Sequence, residues 1–184
     1  MNIQTERLLL RPLKLSDASD IQRLAGDRDV ASTTRNIPHP YEDGMAEKWI
    51  RSCQGKVDAG ELINFAITRH SDGSLLGVIG LHPDAGQTQG ELGYWIGKPF
   101  WNQGYATEVV EAVINHAFTD LGMDRVYAAH FTRNPASGRV MQKAGMLHEG
   151  FLKGHTEKWG LFEDLELYGV TKVQFEGRGS TGSP

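Results

Sequence analysis

"ELGYWIGKPFWNQGYATEVVEAVINHAF", residues 91–118, decides how this chain folds. Glu91 to Ile96 is a strand-like run rich in β-formers, closed by Gly97. From Thr107 to Leu121 the apolar residues recur at helical spacing. Between them lies Asn102-Gln103-Gly104-Tyr105-Ala106-Thr107, a turn of small and polar residues at the mouth of the helix. A helix leaves its first N–H groups unpaired and carries partial positive charge there, so such a turn is either a structural corner or an anion cradle. It lacks G-x-G-x-x-G and has no Lys-Ser/Thr ending, which excludes a dinucleotide fingerprint and a P-loop.

Working outward, "RLLLRPL" (Arg7 to Leu13) reads as a first strand that Pro12 ends or confines to an edge. Ser16 reads as the N-cap of a helix running to Gly26, and the polar stretch 27–43, with Pro38 and Pro40, as a loop. A second amphipathic helix with Trp49, Ile50, Cys53 and Val57 on one side ends near Gly60. "LINFAITR" and "SLLGVIGLH" flank "HSDG" as a hairpin. After the central helix, "DRVYAAHFT" is a strand, Asn134 and Pro135 open a short helix that Gly145 closes, and "HEGFLKGHTE" and "FEDLELYGVTKV" are final strands. "EGRGSTGSP" reads as a flexible tail, so the expectation is one domain over 1–174 with a tail over 175–184. Three consecutive strands without intervening helices exclude a doubly wound sheet. The order predicts an α/β fold, a mixed sheet of six to seven strands flanked by about four helices, with parallel pairing across the central helix.

The chain has 184 residues and a net charge of −4, which argues against a nucleic-acid partner. No apolar run approaches the ~18 residues of a membrane span, and no signal peptide is evident, so a cytoplasmic protein without a membrane partner is expected. Cys53 is the single cysteine, and the seven histidines show neither H-x-x-x-H nor C-x-x-C spacing, so no metal is expected. The serine of "NPASG" sits in no G-x-S-x-G elbow, which speaks against a hydrolase. The sequence is compatible with a monomer or a homodimer.

Five segments, "TERLLLRPL", "ELGYWIGKPFWNQGYATE", "NPASGRVMQKAGM", "HEGFLKGH" and "FEDLELYGV", together resemble the GNAT superfamily of acetyl-CoA-dependent N-acetyltransferases. Within it the chain is most similar to the RimJ/RimL-type branch, which acetylates N-terminal amines of ribosomal proteins. One departure is Trp101, where the superfamily pattern has Gln or Arg, although an aromatic is familiar there in this branch. Ala106 replaces a second glycine.

The resemblance implies a GNAT fold with a splayed sheet, acetyl-CoA as co-substrate, and a primary amine of a protein N-terminus or a small molecule as acceptor. It implies that the main chain of Asn102, Gln103, Gly104, Tyr105, Ala106 and Thr107 holds the pyrophosphate. The main chain near Trp95 and Ile96 would bond pantetheine, with an N–H near Ile96 facing the carbonyl oxygen. Asn134 either caps its helix or bonds pantetheine. Ser137 is either an ordinary first-turn serine or a donor to the departing thiolate. Glu91 is the first candidate for general base; His155 and Glu157 are alternatives, although the branch's glutamate aligns with Thr156, and a mechanism without a base is the remaining one. Arg139 and Lys143 lie within reach of CoA phosphates or simply face solvent. For the acceptor, the loop "TTRNIPHPYEDG" and the turn "HTEKWGLFED" are expected to contribute, and Glu42, Asp43, Glu157, Glu163 and Asp164 either attract a cationic amine or are solvated surface. A module that binds acetyl-CoA without catalysis stays open at this stage.

Overall fold

The structure, a computed structural model, describes residues 1–179. Its strands are β1 (Ile3–Gln4), β2 (Leu8–Arg11), β3 (Ile63–Arg69), β4 (Leu75–Pro83), β5 (Gln89–Ile96), β6 (Arg125–Phe131), β7 (Leu147–Lys158) and β8 (Leu161–Thr171). Its α-helices are α1 (Ala18–Ala25), α2 (Arg28–Ser32), α3 (Met45–Asp58), α4 (Tyr105–Thr119), α5 (Pro135–Lys143) and α6 (Lys172–Gly179). All strands join one sheet in the order β1-β2-β3-β4-β5-β6-β8-β7. The mixed α/β architecture is as expected, but among the described residues there are eight strands and six α-helices, more than the sequence predicts.

The surplus comes from short elements. The two-residue β1 pairs Ile3 with Leu10 and folds back on β2. α2 forms inside the stretch expected to be a loop, where Asp27 caps it by accepting a hydrogen bond from the N–H of Asp29 at 2.8 Å. Ser16 is not the N-cap expected of it. It lies in a 3₁₀ turn, Leu15–Asp17, and the neighbouring Asp17 carboxylate takes the N–H of Lys14 and the Arg11 guanidinium. The tail boundary at 174 is also displaced, because α6 runs through it and Phe175 packs edge-on against Phe118, ring centroids 5.5 Å apart. Residues 180–184 of that tail lie outside the described residues.

Two cores form, one on each sheet face. Val109, Val113, Ile114, Ala117 and Phe118 of α4 pack on Leu8, Leu10, Phe65, Ile67 and Leu92. On the other face α1 and α3 bring Ile21, Ala25, Ala46 and Ile50 onto Ala66, Leu75 and Val78. Alternation along β5 divides its side chains between the two: Tyr94 packs against the first core and Trp95 against the second.

The irregularity that positions a site lies between β5 and β6. Because α4 returns the chain to the starting edge, these strands run parallel. They pair only at Gln89–Arg125, Gly90–Val126 and Glu91–Tyr127. Beyond Glu91, β5 stays with β4 as far as Ile96, whereas β6 stays with β8 as far as Phe131. A wedge opens in mid-sheet.

Candidate active site

The wedge is continuous with a cleft of about 1330 Å³ that runs from the start of α4 to α3. That volume exceeds the roughly 300–1,000 Å³ that encloses one drug-sized ligand, so the cleft has room for two reactants end to end.

At one end stands the turn 102–107. Gly104 has φ of +79° and Asn102 φ of +58°, both in the left-handed region. Two such residues lead directly into the first turn of α4. The first helical hydrogen bond runs from Glu108 N–H to Gly104 O at 3.1 Å. The N–H groups of Tyr105, Ala106 and Thr107, in the turn before it, therefore have no partner within the helix. Arg7 fixes this turn from behind. Its guanidinium donates to Gln103 O at 2.9 Å, pairs with Glu108 at 2.7 Å and lies 4.4 Å from the centroid of the Tyr105 ring. Burial alone would raise the Glu108 carboxyl, but hydrogen bonds from Thr5 and Arg7 outweigh it and hold the group below its ordinary range. The opening motif and the central motif are thus one physical unit, a link that 101 residues of separation hide in the sequence.

The wedge supplies main chain. Gly97 N–H donates to Leu76 O across β4 at 2.7 Å, so by alternation the main-chain groups of Tyr94 and Ile96 face the side where β6 has diverged. The Trp101 indole donates to Ile96 O at 2.7 Å, which takes the carbonyl and leaves the Ile96 N–H toward the wedge. The residue that departs from the superfamily pattern therefore has a structural task.

Across the wedge, Asn134 lines the cleft and makes no side-chain cap, contrary to one expectation for it. Ser137 lies on the first turn of α5, its hydroxyl 2.9 Å from the Tyr94 phenol. Burial drives the Tyr94 pKa up to about 12, with the Ser137 hydrogen bond opposing, so the phenol keeps its proton at neutral pH. Tyr94 is therefore more than core packing. His130 is also on the wall; its Nδ1 lies 2.8 Å from Phe131 O and its buried Nε2 has no partner.

The other end is lined by side chains. Register places Val78 opposite Trp95, Gly80 opposite Gly93 and His82 opposite Glu91, all on the α3 side of the sheet. Gly93 leaves a hollow, since a Cβ there would meet nothing within 4 Å, whereas one on Gly80 would stand 3.3 Å from the Leu62 side chain. Glu91 faces this hollow and forms an ion pair with Arg35 of the α2–α3 loop. Burial lowers the His82 pKa, with Lys56 and Arg35 adding to the effect and Glu91 opposing it. The loop is pinned from several directions: Lys158 donates to Ile37 O at 2.7 Å and Arg133 to Ser32 O at 2.5 Å. Burial also lowers the Lys158 pKa, helped by Arg133.

Of the residues singled out in the sequence, Glu91, Trp95, Ile96, Asn102, Gln103, Gly104, Tyr105, Ala106, Thr107, Asn134, Ser137, Arg139 and Lys143 all line this one cleft. The alternative bases do not: His155 and Glu157 are exposed on β7, away from its walls. Glu42, Asp43, Glu163 and Asp164 are likewise off the walls, and so is the turn 155–164. That turn holds the acceptor-side loop instead of lining the cleft. Among the described residues no group of His, Cys, Asp and Glu is placed to hold a metal, and no helix is long and apolar enough to cross a membrane.

The structure thus sets a helix mouth with unpaired main-chain N–H groups beside a wedge between parallel strands. Residues 7–147 match the family described as an acetyltransferase (GNAT) domain. The chain belongs to this family. It is an N-acetyltransferase of the GNAT type. Among curated proteins it is similar to YoaA of Bacillus subtilis, named as an uncharacterized N-acetyltransferase, with 29% identity over 92% of this chain and 96% of the relative. Among solved structures, a GNAT acetyltransferase from Bacillus anthracis superposes with a TM-score of 0.84 at 25% identity, covering 94% of this chain and 99% of that one. RimJ of Mycobacterium smegmatis, in complex with CoA-disulfide, gives 0.86 at 20% identity over 99% and 95% of the two chains, a likeness of fold.

Proposed function

We propose that this GNAT protein transfers the acetyl group of acetyl-CoA directly to an α-amino group, with a protein or peptide N-terminus as the first acceptor class. The observation that carries the reading is the single cleft joining the Gly104 turn to Glu91. The pyrophosphate sits on the N–H groups at the start of α4, with Arg139 and Lys143 of α5 toward the phosphates. Pantetheine fills the wedge against β5 and Asn134. The thioester carbonyl then meets the Ile96 N–H, which stabilises charge developing on its oxygen. The amine nitrogen attacks the carbonyl carbon, Glu91 takes the proton the amine gives up, and the C–S bond breaks. Ser137 donates to the departing thiolate while the Tyr94 phenol donates to Ser137. Glu91 passes the amine's proton to solvent, the thiolate takes a proton from solvent in turn, and the N-acetylated amine and free CoA thiol are the products.

An α-amine suits this apparatus. With a pKa of about 8 it is partly neutral at pH 7, whereas a lysine at about 10.4 is almost wholly charged. The test is mass spectrometry of a mixed panel of N-terminal peptides and small amines after incubation with acetyl-CoA. Acetylation of peptide α-amines is expected; acetylation confined to polyamines would overturn the acceptor class.

A further inference from the structure

The acceptor end carries a charge pattern opposite to that of the protein as a whole. In a chain of net charge −4, Glu91 is, among the described residues, the sole carboxylate on the cleft wall, against Arg35, Lys48, Lys56, Arg139 and Lys143. Arg139 and Lys143 lie on α5, at the end assigned to CoA. Arg35, Lys48 and Lys56 lie at the other end, beyond the reach of that assignment. Lys48, Ser52 and Lys56 form one i, i+4, i+8 stripe of α3 facing the cleft, spanning about 12 Å at 1.5 Å per residue. Among the described residues neither lysine ammonium has a hydrogen-bond or ion-pair partner. Lys56 and Arg35 line the same cleft as His82 and Glu91, and both charges help to lower the His82 pKa. Asn64 adds an independent sign: it lies opposite Gly80 in the same hollow, and its side-chain Nδ2 is buried without an acceptor.

We propose that the acceptor is an anionic amine, one carrying a carboxylate or phosphate close to the nitrogen that is acetylated. This rests on the transferase reading above and names its acceptor chemistry. The Arg35–Glu91 ion pair is a template for such a molecule: the acceptor's ammonium replaces Arg35 on Glu91, and its anionic group takes the released guanidinium together with Lys56. Lys48 lengthens the track for a second negative charge, and Asn64 donates to an anionic oxygen. A polyamine finds one carboxylate and a wall of like charge.

The experiment uses the full chain with acetyl-CoA and follows release of CoA thiol. One matched pair is L-glutamate and its diamide. A second is a peptide with acidic residues at its second and third positions and the same peptide with the corresponding amides. Spermidine is the cationic arm. The acidic member of at least one pair should exceed its amide in kcat/KM by about tenfold, as expected for several partly screened charge pairs. That advantage should shrink toward unity in Lys48→Gln/Lys56→Gln and as salt shortens the Debye length. Lys56→Glu, which reverses the charge, should favour the amide. Preference in the glutamate pair identifies a small acceptor; preference in the peptide pair identifies an acidic N-terminus. Faster turnover of spermidine, or an acidic preference that survives in the double variant, would overturn the proposal and leave the transferase standing. Acetyl-CoA binding without acetylation of any amine would overturn both.

Discussion

At the α4 end of the cleft the unpaired groups are mainly main-chain N–H and C=O, with Asn134, Arg139 and Lys143 of the α5 side beside them, whereas at the α3 end they are side chains alone. The first end is built by conformation: left-handed backbone at Asn102 and Gly104, the start of α4, and the divergence of β5 from β6. The second is built by convergence. Glu91 comes from β5, His82 from β4, Arg35 from the α2–α3 loop, and Lys48 and Lys56 from α3. A main-chain cradle serves any chain that can adopt its dihedral angles, so it suits a co-substrate that does not change. A side-chain hollow can be re-lined without disturbing the sheet, so it suits an acceptor that does. Substitutions at the two ends should therefore fail in different ways.

The largest effect is expected at the cradle. Gly104→Glu sets an acid where the pyrophosphate is proposed to lie, in a left-handed position costing roughly 1–2 kcal/mol for an L side chain. Its Cβ would also stand 3.3 Å from the Arg7 guanidinium. Acetyl-CoA binding by calorimetry should fall below detection while circular dichroism shows a folded protein. Gly104→Ala carries the strain without the charge and should weaken binding much less. Equal losses would mean that geometry alone, without an anion, explains the turn.

Next come the groups between the two ends. Ser137→Ala should lower kcat on the order of 10²-fold with saturating acceptor. Tyr94→Phe, which removes the phenol behind Ser137, should lower it less. Full turnover in Ser137→Ala would leave that hydroxyl a mere partner of Tyr94. Glu91→Gln should lower turnover by a similar factor and abolish the acidic limb of the pH–rate profile, while calorimetry still detects acetyl-CoA. A profile unaltered by that substitution would remove Glu91 from proton transfer. His155 and Glu157 would not inherit the role, since neither reaches the cleft.

The smallest effect concerns the clamp behind the cradle. Glu108→Gln should cost about 1 to 2 kcal/mol, after discounting for the screening of the half-exposed Arg7. At about 2–4 °C per kcal/mol in a chain of this size, thermal denaturation should detect it. The Glu108 pKa is lowered in the folded state, so its contribution is present above the ordinary carboxylate range and is lost as pH falls through the depressed value. The difference in Tm between wild type and Glu108→Gln should therefore narrow in acid. A constant gap would show that the substitution acts through packing.

The same contrast explains what was legible in the sequence. Gly104, Ala106 and the periodic α4 are local signals, and each is read within one turn of its neighbours. Pairing of β5 with β6 follows from the crossover, and Asn134 with Pro135 marks the start of α5. Arg7, by contrast, holds a turn that lies nearly 100 residues away, and nothing near it in sequence says so. α2 was missed because Asp27 caps a helix of five residues, too short for periodicity to register. Glu42, Asp43, Glu163 and Asp164 could be read either as attracting a cationic amine or as solvated surface, because sequence shows charge without direction. The fold turns them off the cleft and turns Lys48 and Lys56 onto it. Nothing adjacent to Tyr94 announces that its phenol meets Ser137, 43 residues on.

In the proposed reaction both reactants occupy one cleft and the acetyl group passes between them directly. Initial rates measured over a grid of acetyl-CoA and amine concentrations test it most directly. Intersecting double-reciprocal lines, the mark of a complex holding both substrates, are predicted. Parallel lines, with an acetylated protein trapped in the absence of amine, would contradict the account.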